Sequence, residues 1–404
     1  MSNTIDDSET EFEFIRNIIK MVGPRIAGSL EERAAAEMIK EDFGKICGNA
    51  VLEEFTCATM ASVGLIPALG FLLLFGAIPL FFFAPLVNAI IVGFFLFFAL
   101  VQIFKYLAWF DVFFPKQKSQ NVHAVIDPEP AKTTNTILLA GHIDSAWHWP
   151  VLAENPPKVT LKLVYGIACV VVLFFASCLK VLMRPEAAFT ISWDWFNLVV
   201  IPMVPGFTYI ARFLKWDKAG ASPGAMDDLA GLSLIRWAAR YYHDNPGKIP
   251  AGCRLVIAAF GSEEAGLKGS HAFVDKHGTD FLKNSWSIIV DGVSDYEYFH
   301  VVCGDAWLGT KYDPDLVRLA DDAMTRAPIK HDTIKNPVGS TDGASFVRKG
   351  FKVVTLAAQD PGPGKNYHTR FDVVENIDKR TFPVMKRVLL NLIENIGKTI
   401  SEQS

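Results

Sequence analysis

Residues Phe260 to Ser270 read FGSEEAGLKGS, with two adjacent carboxylates, Glu263 and Glu264, directly after the apolar run Arg254 to Phe260. That run has the length and composition of a strand buried in a parallel sheet. Adjacent side chains on extended backbone point in different directions. One carboxylate can therefore hold a metal while its neighbour faces a water or a substrate. A Glu-Glu pair alone is most often a solvated loop; this pair gains meaning from other ligand types at other strand ends. Thr136 to Ala140 is a second apolar strand, followed by Gly141, His142, Ile143 and Asp144. Ser287 to Val290 is a third, ending in Asp291. Ser222 to Gly231 is a Gly/Pro turn that carries Asp227 and Asp228 into an amphipathic helix, and Tyr367-His368 precedes the acidic stretch from Phe371 to Asp378. In open α/β sheets, sites lie outside the carboxyl ends of strands, and imidazole nitrogen and carboxylate oxygen are the donors that zinc accepts.

The elements that must position these groups follow from periodicity. Glu11 to Met21 has helical spacing and is stopped by Gly23-Pro24. Ser29 and Glu32 stand as a capping box before an amphipathic helix. Val51 to Thr56 reads as an edge strand, Asn121 to Ile126 and Phe351 to Leu356 as further strands. Helices are expected over Leu229–His243, Ala272–Phe281, Asp315–Arg326 and Pro383–Ile400. Strands alternating with helices predict an α/β fold, a mostly parallel sheet sandwiched by helices.

Two apolar blocks interrupt that pattern. No charged residue occurs between Glu54 and Lys105, where a membrane span needs only about 20 apolar residues. The block divides into spans over 63–83 and 86–107, turning near Ala84-Pro85, with Tyr106 and Trp109 suited to the interfacial belt. A third span covers 162–183. A fourth, 195–214, contains Pro202 and Pro205, which membrane helices tolerate. The expected organisation is a soluble domain assembled from 1–57, 116–158 and 216–404, with transmembrane hairpins at 62–108 and 161–214. An even number of spans leaves every soluble piece on one side. Lys105, Lys116, Lys118, Lys158, Lys162, Arg212, Lys215 and Lys218 flank the spans on that side, against Lys180 and Arg184 on the other. The positive-inside rule then makes this a multi-pass integral membrane protein with a cytoplasmic catalytic domain.

Composition excludes other classes. The chain of 404 residues has a formal charge of −4, and no basic cluster with interleaved aromatics marks a nucleic-acid partner. The six cysteines are scattered without a CxxC pair, so neither a disulfide framework nor a zinc ribbon is expected. The acidic N-terminus has no signal-peptide pattern, and no feature sets an oligomeric state.

GPRIAGS (23–29), GHIDS (141–145), GAMDDLAG (224–231), EEAGLKGS (263–270) and YHTRFD (367–372) resemble the pattern of M28-family zinc aminopeptidases over residues 10–57 and 118–400. The resemblance implies two co-catalytic Zn2+ ions: His142 and Asp291 on one, Glu264 and His368 on the other, Asp227 bridging. It implies that Asp144 accepts from the second ring nitrogen of His142, that Glu263 is the general base, and that Tyr367 polarises the scissile carbonyl. Met226 departs from the family, which usually has Asn there; its side chain is no ligand. Asp342, in GSTDG (339–343), matches a supporting rather than a ligating position. His148 and Trp149 either line a pocket or sit at the membrane surface, the surface being the favoured reading, while His271, His300 and His331 match no ligand position and are expected to be solvated or structural. The implied partners are a peptide substrate and the lipid bilayer. Both insertions are expected to leave one edge of the sheet, turning the metal site toward the bilayer. Three rivals stand beside an aminopeptidase. They are an amidohydrolase of N-acyl lipid amides, a glutaminyl-cyclase-like acyltransferase (which favours Trp where this chain has Tyr367), and a non-catalytic membrane scaffold.

Overall fold

Successive residues of the buried strands alternate between two separate apolar cores. Ile137, Leu139, Ile257 and Ala259 enter one, and Leu138, Ala140, Val256 and Ala258 the other, as the two-residue period of a strand requires. The computed structural model describes residues 5–154, 158–191, 194–214, 220–362, 364 and 366–403. Its strands are β1 (Val51–Cys57), β2 (Gln117–Ile126), β3 (Asn135–His142), β4 (Cys253–Phe260), β5 (Ser285–Val293), β6 (Phe299–Asp305), β7 (His331–Asn336) and β8 (Lys352–Ala358), in the order β1-β2-β4-β3-β5-β8-β6-β7. The central β4, β3, β5 and β8 are parallel, whereas β1, β2 and β6 join antiparallel to their inner neighbours. The sheet is thus a mixed one with a parallel centre, covered on both faces.

The helices are α1 (Glu9–Met21), α2 (Leu30–Cys47), four long apolar helices α3 (Ile66–Phe83), α4 (Pro85–Phe104), α5 (Val159–Met183) and α6 (Trp195–Leu214), then α7 (Ala230–Asp244), α8 (Lys268–His277), α9 (Pro314–Thr325), α10 (Gly343–Arg348) and α11 (Thr381–Gln403). Ser29 caps α2 by accepting from Glu32 N at 3.0 Å, and Gly48 closes it in the left-handed conformation. Helices α1, α2, α7, α9 and α11 serve the first core, α8 and α10 the second. The helix expected over Ala272–Phe281 starts earlier, at Lys268, because Leu267 takes a left-handed φ of 60° and turns the chain directly into it.

Helices α3 to α6 are long and apolar enough to cross a membrane, at the expected places. They pack on each other through Leu73, Phe81, Val92, Leu173, Met203 and Phe207. Phe75, Phe94, Phe175 and Leu182 point outward and are more than half exposed, a surface that suits lipid rather than water. The first half of α6 winds as a tighter 3-10 helix around Pro202, since proline removes a donor and crowds the preceding turn. Lys180 is buried in the bundle, donating to Asn197 Oδ1 at 2.8 Å with Asp194 at 3.9 Å. It therefore lies within the third apolar helix and is paired inside the bundle, rather than in the loop after it. Lys215 and Lys218 lie outside the described residues. Gly206 lets α5 approach α6, because a Cβ there would meet Cys169 Sγ at 2.6 Å. Gly206→Val should lower stability in detergent by about 1–3 kcal/mol, read as an earlier unfolding midpoint with peptide hydrolysis below that midpoint retained.

Register shows where the insertions leave. Cys57 pairs with Gln117, Val122 with Ala259 and His142 with Phe260. The end of β1, the start of β2 and the ends of β3 and β4 therefore share one end of the sheet. Lys105 ties α4 to the soluble domain, donating to Trp307 O at 3.0 Å and Leu308 O at 2.9 Å. Trp109 is exposed as expected of an interfacial residue, but Tyr106 turns inward against Leu267 and Trp307.

Candidate active site

At that end of the sheet, five segments converge: the ends of β3 and β5, the Asp227 turn, the Glu263–Glu264 loop after β4 and the His368 loop. β3 delivers His142, buried, as its last residue. Its Nε2 lies 2.9 Å from Asp227 Oδ1, and its Nδ1 3.0 Å from the backbone oxygen of Asp144. His368, with a left-handed φ of 52°, places Nε2 at 3.1 Å from Asp227 Oδ2 and 3.2 Å from Glu264 Oε1. Asp227 thus stands between the two imidazoles, one oxygen toward each. Asp291 joins His142 and Asp227 in a second triplet of ligand atoms. It is aimed there by a β-bulge in β5 at Gly292, whose φ of 69° favours glycine.

The Glu263–Glu264 loop is held from beneath. Asp144, fully buried, accepts Glu263 N at 2.9 Å and Glu264 N at 3.0 Å, one per carboxylate oxygen. This differs from the expected role: the Asp144 carboxylate is 3.6 Å from His142 Nδ1, and its backbone oxygen makes that hydrogen bond instead. Two charge-assisted bonds to adjacent amides hold the loop better than one shared imidazole. Asp144→Ala should lower kcat by about 10–100-fold, the usual cost of losing such a support, with zinc content measured alongside. Unchanged kcat would reject the loop-holding role.

Three residues support the site in roles that were not read from sequence. Glu32, in the first turn of α2, is buried and accepts Ser262 N at 2.6 Å and Ser119 Oγ at 3.1 Å; burial pushes its carboxyl up to about 8. Arg25 donates to Ile143 O at 2.7 Å, Pro223 O at 2.7 Å and Gly224 O at 2.9 Å, clamping the exit of β3 to the Asp227 turn. Asp228 accepts His142 N at 3.2 Å and Gly231 N at 3.1 Å. The signal was present in GPRIAGS and GAMDDLAG, but a buried partner is not written in a motif. Met226 keeps its side chain buried in the core, and its N–H donates to Asp372 at 2.7 Å.

The donors fit a metal. Asp227 Oδ2 and Glu264 Oε1 are buried yet receive no hydrogen bond of good geometry, and the set is imidazole nitrogen with carboxylate oxygen. Burial, then Asp227, pushes Asp291 up to about 8, and burial holds Glu263 well above the usual carboxylate range. So much negative charge in one dry place calls for a cation.

Two openings reach this cluster. One, of ≈ 70 Å³, is lined by Asp227, Glu263, Asp291, His300, Thr341 and Gln359. The other, of ≈ 190 Å³, runs from Glu263, Glu264 and His368 to Ile66, Leu163 and Phe213, on or beside the apolar helices. Tyr367 stacks on His368 with ring centroids 3.7 Å apart and borders both. Trp149 is buried against Phe213 and lines the larger opening, and His148 Nδ1 accepts Arg370 N at 3.3 Å. Both are buried rather than at the surface, and Trp149 follows the alternative reading of a pocket-lining residue, because the chain after β3 folds back onto the His368 loop. His300 is buried with no hydrogen bond to either ring nitrogen. His271 contacts Arg348, and His331 pairs with Asp321. Asp342 is buried with Oδ1 unpartnered.

Residues 215–393 match the family model described as Peptidase family M28. No curated protein matches the sequence. Among solved structures, the fold is similar to a zinc aminopeptidase from Bacillus subtilis (TM-score 0.57, 15% identity, covering 96% of this chain and 95% of that one). It is similar to an aminopeptidase from Aneurinibacillus sp. strain AM-1 (TM-score 0.56, 15%, 97% and 94%). A glutaminyl cyclase from Bacteroides thetaiotaomicron is also similar (TM-score 0.55, 14%, 96% and 97%).

Proposed function

We propose that this chain, which belongs to peptidase family M28 and is a zinc metallopeptidase, removes single N-terminal residues from peptides at a membrane surface. His142 and Asp291 would hold one zinc ion, Glu264 and His368 a second, with Asp227 between them. The chemistry these ions supply when bound is polarisation of the scissile carbonyl and acidification of a water. Glu263 takes the proton from the attacking water and passes it to the leaving amine, as the C–O bond forms and the C–N bond breaks. Its amide is anchored by Asp144, so the carboxylate is presented without its backbone having to move. Burial keeps the Tyr367 phenol well above its ordinary range, so it stays protonated and able to donate to the developing oxyanion.

The observation that carries the membrane reading is the larger opening, whose walls pass from Glu263 and His368 to Ile66, Leu163 and Phe213. A substrate with an apolar N-terminal residue fits such a wall. The proposal places α3 to α6 across the bilayer and the catalytic domain in the cytoplasm, supported by the near-side Lys116, Lys158 and Arg212. The test is mass spectrometry of a peptide library incubated with the detergent-purified protein, with and without a zinc chelator. Chelator-sensitive loss of single N-terminal residues is the expected result. Loss of ammonia from N-terminal Gln without cleavage would replace this reading with a cyclase, and release of fatty acid from N-acyl amides alone would replace it with a lipid amidohydrolase.

A further inference from the structure

Helix α8 leaves the Glu263–Glu264 loop, crosses the face of the sheet over β1 and β2, and ends at His277. Beneath its last turn lie Glu53 of β1 and His123 of β2. In the antiparallel register Val51 pairs with His123 and Glu53 with Asn121, so Glu53 and His123 are diagonal neighbours on one face. His277 Nε2 is 3.0 Å from Glu53 Oε2, and His123 Nδ1 is 3.9 Å from Glu53 Oε1. One ligand atom from each of the three lies within 4.8 Å of the others. His123 is only 5% exposed, and its Nδ1 has no hydrogen-bond partner. A buried ring nitrogen left unpaired is costly and calls for an explanation. Phe273 and Phe281 wall the cluster, with ring centroids 5.9 and 5.4 Å from that of His123.

We propose that Glu53, His123 and His277 form a further metal site, separate from the peptidase centre, that takes a zinc-like divalent ion. Two imidazoles and one carboxylate favour zinc and its first-row neighbours over magnesium or calcium. Three protein ligands leave a fourth position for water. Asp280 Oδ2 stands 3.8 Å from His277 Nδ1, in the place of the carboxylate that orients a metal-bound imidazole. The competitor is Lys276, whose Nζ is 2.9 Å from Glu53 Oε1. Its side chain is more than half exposed, so an arriving ion can displace it into solvent. The bound ion joins β1, β2 and the end of α8, three elements far apart in the chain. It thereby braces the helix whose other end carries the Glu263 loop.

The test counts zinc per chain in the full-length protein by plasma mass spectrometry, after chelation, reloading with zinc alone and removal of the excess. His123→Ala should carry one ion fewer than the native chain and still cleave peptides. Glu53→Gln, which keeps shape and size, should lose the same ion and guards against misfolding of the first variant. Lys276→Ala should bind that ion severalfold more tightly, whereas a mere ion-pair cluster would show no change in metal affinity. Equal zinc content in the native chain, His123→Ala and Glu53→Gln would overturn the proposal.

Discussion

Glu263→Gln should leave the protein folded and zinc-loaded while lowering kcat by about 10²–10⁴-fold, the range that general acid–base catalysis contributes. The substitution keeps the shape of the side chain and removes only its ability to accept and return a proton. Its backbone N–H still reaches Asp144, and the neighbouring Glu264 keeps its place beside His368. The triplets proposed to hold the two ions, His142–Asp227–Asp291 and Asp227–Glu264–His368, do not need Glu263, although Glu263 also meets His142 and Glu264 in a further triplet of donor atoms. Zinc content and kcat are therefore separable. Glu264→Gln is the matched control, and should lose metal along with turnover. A Glu263→Gln enzyme with near-native kcat would end the assignment of the base.

The second large effect is on stability. Metal held at a thousandfold excess over its dissociation constant stabilises a fold by about 4 kcal/mol, so chelation should lower Tm markedly. The metal-free protein should also acquire a pH dependence. Burial, then Asp227, pushes Asp291 up to about 8 when no cation balances it, whereas an unfolded aspartate titrates near about 3.9. Between those values the folded chain binds more protons than the unfolded one. Its stability is greatest below the lower value and falls as pH rises through about 8. Thermal unfolding of chelated and reloaded protein at about pH 5 and about pH 8 checks both parts. The gap between the two forms should be wider at the higher pH. A Tm indifferent to chelation at both would mean that these carboxylates hold no stabilising ion.

What the sequence determined by itself was short in range. Strand ends carrying His142, Glu263–Glu264 and Asp291 are readable because a buried run followed by a polar ligand type is a local pattern. The uncharged block from Phe55 to Phe104 is readable because a bilayer imposes a length on hydropathy. Helix α2 was legible from Ser29 and Glu32, yet Glu32 serves Ser262, far along the chain, as well as its own helix. Strand β7 left no signal: HDTIKN is an exposed edge with no apolar alternation. Tertiary structure alone decided the pairings. The packing of the Asp227 turn and the His368 loop against the end of β3 sets which oxygen of Asp227 faces His142 and which faces His368, and the pairing of β3 with β4 brings the Asp144 carboxylate to two amides of the loop after β4. Sheet register sets Glu53 beside His123 and turns both insertions toward the catalytic end. Such contacts join residues far apart in the chain, 85 positions for His142 and Asp227 and 119 for Asp144 and Glu263. Their geometry depends on how strands align and helices pack, and a linear pattern of residue types carries no record of that alignment.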